Sequence, residues 1–259
     1  MAPESTPPAI ASSAPILRPL AGLGSFASQG RKLARRLLAR GRDLLYPPLC
    51  ALCRLDLPPG PLQPEGFCPE CWGRLVPTIE LRLPSDQLPG QDILSLLSYD
   101  DLAREAIRRW KYQGDLVVGG ALAEALASVV PDWAQGDLVV PVPGHPYRRR
   151  QRGFEPAAML ARSLASTHGR YSPLLLDRSH ASQPQSTLAR AERLQNAATA
   201  FRLSRPGGLT GLSILLVDDV RTTGASLYAC RTLLLERGAR RVVCIALAQT
   251  PDGGEGHPQ

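Results

Sequence analysis

The chain has 259 residues, 44% of them hydrophobic, which is enough for one ordinary α/β domain with a small accessory module. Its formal net charge of +7 and its pI near 9.4 suit an anionic partner such as a nucleic acid, a phosphate ester or a membrane surface. No stretch holds the roughly 18 uninterrupted apolar residues that a membrane-spanning helix needs, so no transmembrane segment is predicted.

The amino-terminal part of the chain predicts a tail followed by a basic helix. Residues 1–30 are rich in Pro, Ser and Ala and lack the pattern of a secretory signal, so we expect a disordered tail and a cytoplasmic protein. Residues 31–45 repeat Leu at helical spacing with Arg on the remaining faces, which predicts a basic amphipathic helix. Such a helix can contact the inner membrane peripherally, bind nucleic acid, or pack its leucines on the protein, and a mitochondrial presequence has a similar composition.

Four cysteines characterise the segment 46–80, which is rich in Pro and Gly and shows little periodicity. They form two C-x2-C pairs, and two such pairs can present four thiolates to one ion. We therefore predict a zinc ribbon with a closed, structural Zn²⁺ site. Two disulfides are the alternative, which the lack of a secretion signal disfavours. The predicted zinc ligands are Cys50, Cys53, Cys68 and Cys71.

After a Pro/Gly-containing linker at 81–91, apolar strand-like runs alternate with helical patterns across 92–250, and 251–259 is predicted to be a disordered tail. Such alternation is typical of parallel strands covered by helices. The predicted strands are 93–99, 138–142, 174–176, 213–217 and 241–248, and the predicted helices are 102–111, 117–130, 155–166 and 225–237.

The segment 214–226, ILLVDDVRTTGAS, combines a buried strand, two acids, a small polar turn and a helix start. Asp218 and Asp219 come where the strand ends, and carboxylates there can accept hydrogen bonds from ribose hydroxyls and help to hold a Mg²⁺-bound substrate. The turn offers hydroxyls and backbone N–H groups at a helix N-terminus, whose dipole favours a phosphate dianion. Simple N-capping is the alternative, but it requires neither two adjacent acids nor a TTG.

Several segments together resemble known proteins. The string at 214–226 resembles the signature of type I phosphoribosyltransferases that binds 5-phosphoribosyl-1-pyrophosphate (PRPP). VPVPGHPYRRRQRGF at 140–154, WKYQGD at 110–115 and QPQSTLARAERLQNAATAF at 183–201 are similar, with the four-cysteine segment, to segments of the competence-protein F (ComF) family. The resemblance implies a type I phosphoribosyltransferase-like α/β domain, a parallel sheet flanked by helices, with a small N-terminal zinc ribbon.

The resemblance also implies roles for individual residues. Asp218 and Asp219 would be the catalytic acids on the ribose hydroxyls, with Mg²⁺ entering alongside PRPP. The loop around the 5-phosphate would comprise Arg221, Thr222, Thr223, Gly224, Ala225 and Ser226. The loop against the pyrophosphate would comprise Pro141, Val142, Pro143, Arg148 and Arg152, and a mobile hood over PRPP would comprise Gln185, Arg193 and Asn196.

One departure from the ComF pattern concerns the residues after Gly153 and Phe154. The family usually has Asn-Gln there, whereas this chain has Glu155 and Pro156, so a ligand contact by those two side chains is not carried over.

Three functions follow from the sequence. A ComF-like protein would bind PRPP and take part in the uptake or processing of single-stranded DNA in natural competence. The alternatives are a phosphoribosyltransferase of nucleotide salvage, and a non-catalytic module that senses PRPP or binds DNA. Nothing in the sequence identifies an acceptor base, so the resemblance supports a ribose-phosphate site more strongly than it supports turnover.

Overall fold

The structure, a computed structural model, describes residues 49–57, 66–75, 93–178, 200–204 and 207–250. Several predicted features lie outside the described residues: the tails at 1–30 and 251–259, the basic helix at 31–45, the linker at 81–91, and the hood residues Gln185, Arg193 and Asn196.

Helices and strands alternate through most of the described chain. The helices are α1 (Pro69–Leu75), α2 (Asp101–Gln113), α3 (Leu116–Val129), α4 (Pro146–Arg152), α5 (Pro156–His168) and α6 (Ala225–Glu236), with a 3-10 turn at Asp132–Ala134. The strands are β1 (Ile93–Ser98), β2 (Leu138–Pro141), β3 (Arg170–Tyr171), β4 (Leu176–Arg178), β5 (Phe201–Leu203), β6 (Ser213–Arg221) and β7 (Arg241–Gln249).

Five strands form one parallel sheet in the order β1-β7-β6-β2-β3. β4 and β5 pair separately and antiparallel. The central strands β6 and β7 are almost wholly apolar until their last residues, as expected for parallel strands that are covered on both faces. The predicted parallel sheet flanked by helices is confirmed. Because all five strands run the same way, the residues that follow them meet at one edge, here called the carboxyl edge.

The alternation of side chains along β6 divides the core in two. Leu215 and Val217 pack in a cluster with residues of α2, α3 and α5. Ile214 and Leu216 pack on the other face with residues of α6, β4 and β5. The alternation continues into the next two residues, so neighbouring polar side chains there are directed to opposite faces of the sheet.

Helix α2 begins and ends at residues that suit its termini. The Asp100 side chain accepts a hydrogen bond of 2.8 Å from the backbone N–H of Ala103, which caps the amino end. Gly114 ends the helix with φ at +69°, a conformation that costs a residue with a Cβ about 1 kcal/mol. Asp115 then caps α3 by accepting from the N–H of Val118. These turns fix the last turn of α2 at the carboxyl edge.

The segment with the four cysteines packs directly on α2 and α3. The Arg109 guanidinium donates to the backbone carbonyls of Ala51 and Leu52 at 3.1 and 3.0 Å. Its third partner is the Asp115 carboxylate at 2.8 Å, which also pairs with Arg54 at 2.6 Å. Ala51 is fully buried in the same apolar cluster as α2 and α3. The described part of this segment therefore shares its core with the sheet.

The structure differs from the predicted elements in three ways. β6 runs to Arg221, four residues beyond its predicted end, so both acids lie inside the strand and not after it. The predicted strand at 174–176 begins only at Leu176, and Leu174 is 75% exposed. Helices α1 and α4 and strands β3 and β5 were not predicted, because they have two to seven residues and show no apolar periodicity.

Candidate functional site

Two adjacent carboxylates lie near the carboxyl end of β6. The Asp218 carboxylate accepts a hydrogen bond from the Asp219 N–H at 2.8 Å, and the Asp219 carboxylate accepts one from the Val220 N–H at 2.6 Å. Burial raises the pKa of Asp218 well above its ordinary value, and the negative charge of Asp219 raises it further. The two acids therefore differ in electrostatic character although they are neighbours in sequence.

Lys111, in the last turn of α2, pairs with one of these acids, a role that no sequence pattern predicted. Its Nζ lies 2.8 Å from Asp219 Oδ2, and the two side chains are only 11% and 19% exposed. Burial alone would raise the pKa of Asp219, but the charge and hydrogen bond of Lys111 outweigh it and hold that pKa below its ordinary value. Two features of the sequence could have drawn attention to Lys111. It lies in the WKYQGD segment, and it is one of only two lysines in the chain.

The turn from β6 into α6 places a glycine, which has no side chain, at the N-cap position of the helix. Gly224 occupies the N-cap position with φ at +72°, and no side chain bonds to the first turn from that position. The Ala225 N–H donates a long hydrogen bond of 3.4 Å to Thr223 Oγ1. The Arg221 side chain lies against Gly224, and its guanidinium donates to the side-chain carbonyl of Gln249 at 3.1 Å. Backbone N–H groups at such a terminus are suited to an anion.

A second loop follows β2 at the same edge. Pro141 pairs in register with Val217, and the Val142 N–H donates to the carbonyl of Val217 at 2.8 Å, so this loop lies beside the acids of β6. The Gly144 N–H donates to the Glu155 carboxylate. Burial and the nearby charge of Asp219 raise the pKa of Glu155 to about 7. The loop therefore carries an internal carboxylate whose pKa lies close to physiological pH, and which is mostly ionised above pH 7.

Helix α4 places a row of arginines next to this loop. None of its seven residues is buried, and Arg148, Arg149 and Arg150 are exposed. Arg152 instead lies over the ring of Tyr112, with its guanidinium carbon 4.8 Å from the ring centroid. His145 caps the helix, because its Nδ1 accepts the N–H of Tyr147 at 3.2 Å, which is a structural role. The surface beside the loop is therefore strongly positive.

The four predicted metal ligands come together. Their Sγ atoms all lie within 4.8 Å of one another, and those of Cys53 and Cys68 are 3.8 Å apart. A tetrahedral zinc site with Zn–S bonds of about 2.3 Å requires sulfur atoms about 3.8 Å apart, so the cluster can hold a metal ion of this kind. Although burial raises the pKa of Cys50, backbone hydrogen bonds led by that of Cys68 lower it to about 6, which favours the thiolate. Cys230 and Cys244 lie in the core instead.

Comparison with known proteins agrees with this arrangement. The family model described as "Phosphoribosyl transferase domain" matches residues 121–257. "Competence protein ComFC" of Bacillus subtilis (strain 168) is 30% identical over 196 residues, which are 73% of this chain and 72% of that protein. The chain belongs to the ComF family of phosphoribosyltransferase-fold proteins. Two further ComF-family relatives match at 27% identity. They are "DNA utilization protein YhgH" of Escherichia coli (strain K12), with 80% of this chain and 99% of that protein covered, and "Competence protein ComFC" of Streptococcus pneumoniae, with 71% and 81% covered.

Among solved structures, a hypoxanthine phosphoribosyltransferase from Staphylococcus aureus is 15% identical, with 53% of this chain and 68% of that chain covered. Its TM-score is 0.33, so the fold is assigned from the family model and the strand order.

In this ComF-family chain, the predicted ribose, 5-phosphate and pyrophosphate residues all lie at the carboxyl edge or on α4 beside it. The hood residues cannot be compared with them, because 179–199 is outside the described residues. None of the helices in the described part of the chain is long and apolar enough to span a membrane.

Proposed function

We propose that this ComF-family protein binds PRPP together with Mg²⁺ at the carboxyl edge of its sheet, and that it serves the uptake or processing of single-stranded DNA in the cytoplasm. The observation that carries the first half is the order of groups along β6 and α6. Two carboxylates are followed within five residues by a glycine at φ +72° and a helix N-terminus that no side chain caps from that position. Carboxylates that can accept hydrogen bonds from hydroxyls are thereby followed closely by N–H groups that can donate to an anion. A ribose phosphate requires both.

The acids suit the ribose. Both acids lie within three residues of the end of β6, and Lys111 keeps Asp219 ionised, so that Asp219 can accept hydrogen bonds from hydroxyls. Residues 221–226 would then receive the 5-phosphate on backbone N–H groups and hydroxyls. This assignment uses the exposed end of the helix dipole, which favours a dianion.

The loop at 141–143 and the arginines on α4 suit the pyrophosphate. Val142 is buried and bonded to β6, so the loop is fixed beside the acids, while Arg148 and Arg152 add positive charge. A Mg²⁺ ion bound together with PRPP would neutralise part of the negative charge of the pyrophosphate. Gln185, Arg193 and Asn196 remain proposed hood residues on the strength of the family resemblance.

Calorimetric titration tests this site. With Mg²⁺ present, the wild type should bind PRPP, and the double variant Asp218→Asn/Asp219→Asn should lose at least tenfold in affinity. Asp132→Asn is the matched control, because Asp132 is exposed and precedes the amino end of β2 at the opposite edge. Absence of PRPP binding by the wild type would refute the proposal.

The DNA half of the proposal rests on the relatives and on the charge of α4. Competence and DNA utilization appear in the names of the related proteins. Exposed arginines beside a ribose-phosphate pocket can follow the backbone of a strand, and the exposed ring of Tyr147, 68% accessible, offers a surface on which a base can stack.

Salt dependence tests the DNA contact. For single strands, the slope of log K against log salt should fall in magnitude by about 0.7 for each phosphate contact that is lost. We expect this decrease for Arg148→Ala and for Arg150→Ala, and not for Arg162→Ala, which removes an exposed arginine from α5. Equal slopes in all three variants would exclude α4 as the DNA surface.

We also propose that Cys50, Cys53, Cys68 and Cys71 hold a structural zinc ion. Their spacing fits tetrahedral coordination, and a closed set of four thiolates leaves no position for a substrate.

A further inference from the structure

The Glu155 carboxylate is turned away from its own helix. Glu155 is the residue immediately before α5, the position from which an acid often caps a helix, yet it makes no side-chain bond to that helix. Its carboxylate instead accepts the backbone N–H of Gly144. The fit is close, because a Cβ added to Gly144 would overlap the carboxylate. A backbone donor of the proposed pyrophosphate loop is therefore already bonded to an anion of the protein itself.

The charges around Glu155 come from both sides of the proposed site. The positive charges of Arg149 and Arg152 on α4 and the negative charge of Asp219 on β6 all act on its carboxylate. Asp218 and Arg178 also interact with it electrostatically. Glu155 is therefore coupled electrostatically both to a group proposed for the ribose and to groups proposed for the pyrophosphate. Its own charge would act on a pyrophosphate bound there.

We propose that Glu155 tunes ligand specificity, because its carboxylate lies at the pyrophosphate subsite and lowers the affinity of the site for PRPP relative to a ribose 5-phosphate that has no anion at C1. This inference rests on the proposed function, since it needs the ribose-phosphate site to exist. The 5-phosphate turn is on the other side of the acids and contains no internal carboxylate among residues 221–226. A pyrophosphate would have to displace Glu155 from the Gly144 N–H or lie against a like charge, and either one lowers affinity.

Two kinds of ligand fit a site that disfavours the pyrophosphate. A free ribose 5-phosphate and a nucleoside 5′-monophosphate both present a phosphate monoester and ribose hydroxyls, and neither carries the pyrophosphate. A base at C1 adds an uncharged group, so the two sources are distinguished by titrating each of them separately.

The experiment compares three ligands on three proteins. PRPP with Mg²⁺, ribose 5-phosphate and adenosine 5′-monophosphate are titrated by calorimetry at pH 8, where Glu155 is ionised, into the wild type, Glu155→Gln and Glu236→Gln. Gln is nearly isosteric and uncharged, and Glu236 is an exposed glutamate at the far end of α6. Glu155→Asn provides a second neutral variant should Glu155→Gln fold poorly.

We expect Glu155→Gln to bind PRPP at least tenfold more tightly than the wild type, with the Kd of ribose 5-phosphate unchanged within twofold and Glu236→Gln like the wild type. Tenfold corresponds to about 1.4 kcal/mol, which is less than the repulsion of two unit charges about 4 Å apart near a protein surface. A smaller gain, or an equal gain for both ligands, overturns the inference and leaves the proposed function standing. If no ligand binds to any of the three proteins, both the inference and the proposed function are overturned.

Discussion

Replacing Lys111 with Met tests whether the ion pair with Asp219 organises the candidate site. The two groups are 2.8 Å apart with side chains 11% and 19% exposed, so solvent screens them weakly. Removing one partner of a fully buried pair costs about 3–5 kcal/mol, and the residual exposure here reduces our expectation to about 2–3 kcal/mol of unfolding free energy at pH 8. For a chain of this size, that loss lowers Tm by about 4–12 °C.

The loss should depend on pH with a definite sign. Burial raises the pKa of Asp219, but Lys111 lowers it by more, so the folded pKa is below the unfolded value. Such a carboxylate contributes stability that is present above the unfolded pKa, about 3.9, and is lost as pH falls through the folded value. In Lys111→Met the charge and hydrogen bond of Lys111 are lost, so burial raises the pKa of Asp219. Asp219 then takes up a proton on mild acidification. The difference between the variant and the wild type should therefore be largest near pH 8 and decrease toward pH 5.

Urea unfolding of a double-mutant cycle separates this pair from other effects. The cycle comprises the wild type, Lys111→Met, Asp219→Asn and the double variant, and we expect a coupling energy of about 1.5–2 kcal/mol at pH 8. Arg108→Met is the control, because its pair with Glu105 is about half exposed and should contribute less than about 1 kcal/mol. A coupling energy below about 0.5 kcal/mol at pH 8, or one that grows on acidification, would refute the reasoning.

Other predictions concern the core and the metal centre. Gly119→Ala should lower the unfolding free energy by about 1–3 kcal/mol, because a Cβ there would overlap the Trp110 indole. Gly120→Ala has open space around it and should raise the unfolding free energy by about 0.5–1 kcal/mol. Urea unfolding measures both, and equal effects would contradict the packing. Cys53→Ser should reduce bound zinc, measured by elemental analysis, from one ion per chain to well below one; full zinc content would exclude Cys53 as a ligand. Arg109→Met should cost about 2–3 kcal/mol through its lost hydrogen bonds to two carbonyls and a carboxylate, and a loss below about 0.5 kcal/mol would show that it does not anchor the cysteine segment.

Features with a local signal could be predicted from the sequence. The buried run at 213–217 followed by acids and TTG predicted a strand-turn-helix unit, and the structure has β6 and α6 there. The two C-x2-C pairs predicted a cluster of four thiols, and their sulfur atoms do converge. Both predictions succeeded because the residues concerned are close in sequence, and their spacing alone fixes which groups can meet.

Features that depend on pairing between distant segments could not be predicted in this way. β6 continues to Arg221 because β7 supplies partners for it as far as Gln249, and hydrogen bonding to a neighbouring strand overrides the polar side chains of Asp218 and Asp219. The ion pair of Lys111 with Asp219 joins residues that are 108 positions apart in the sequence. No periodicity within α2 or β6 carries information about such a contact.

Helix α2 links the cysteine segment to the acids of β6. Arg109 and Lys111 are two residues apart, which on a helix of 3.6 residues per turn places them about 200° around its axis, on nearly opposite sides. Arg109 bonds to the carbonyls of Ala51 and Leu52, while Lys111 bonds to Asp219, and the fully buried Trp110 fixes the helix between them. Because both sides are bonded, α2 cannot rotate about its axis without breaking one set of contacts. The cysteine segment therefore helps to fix the position of Lys111, and with it the ionised form of Asp219, without touching the site.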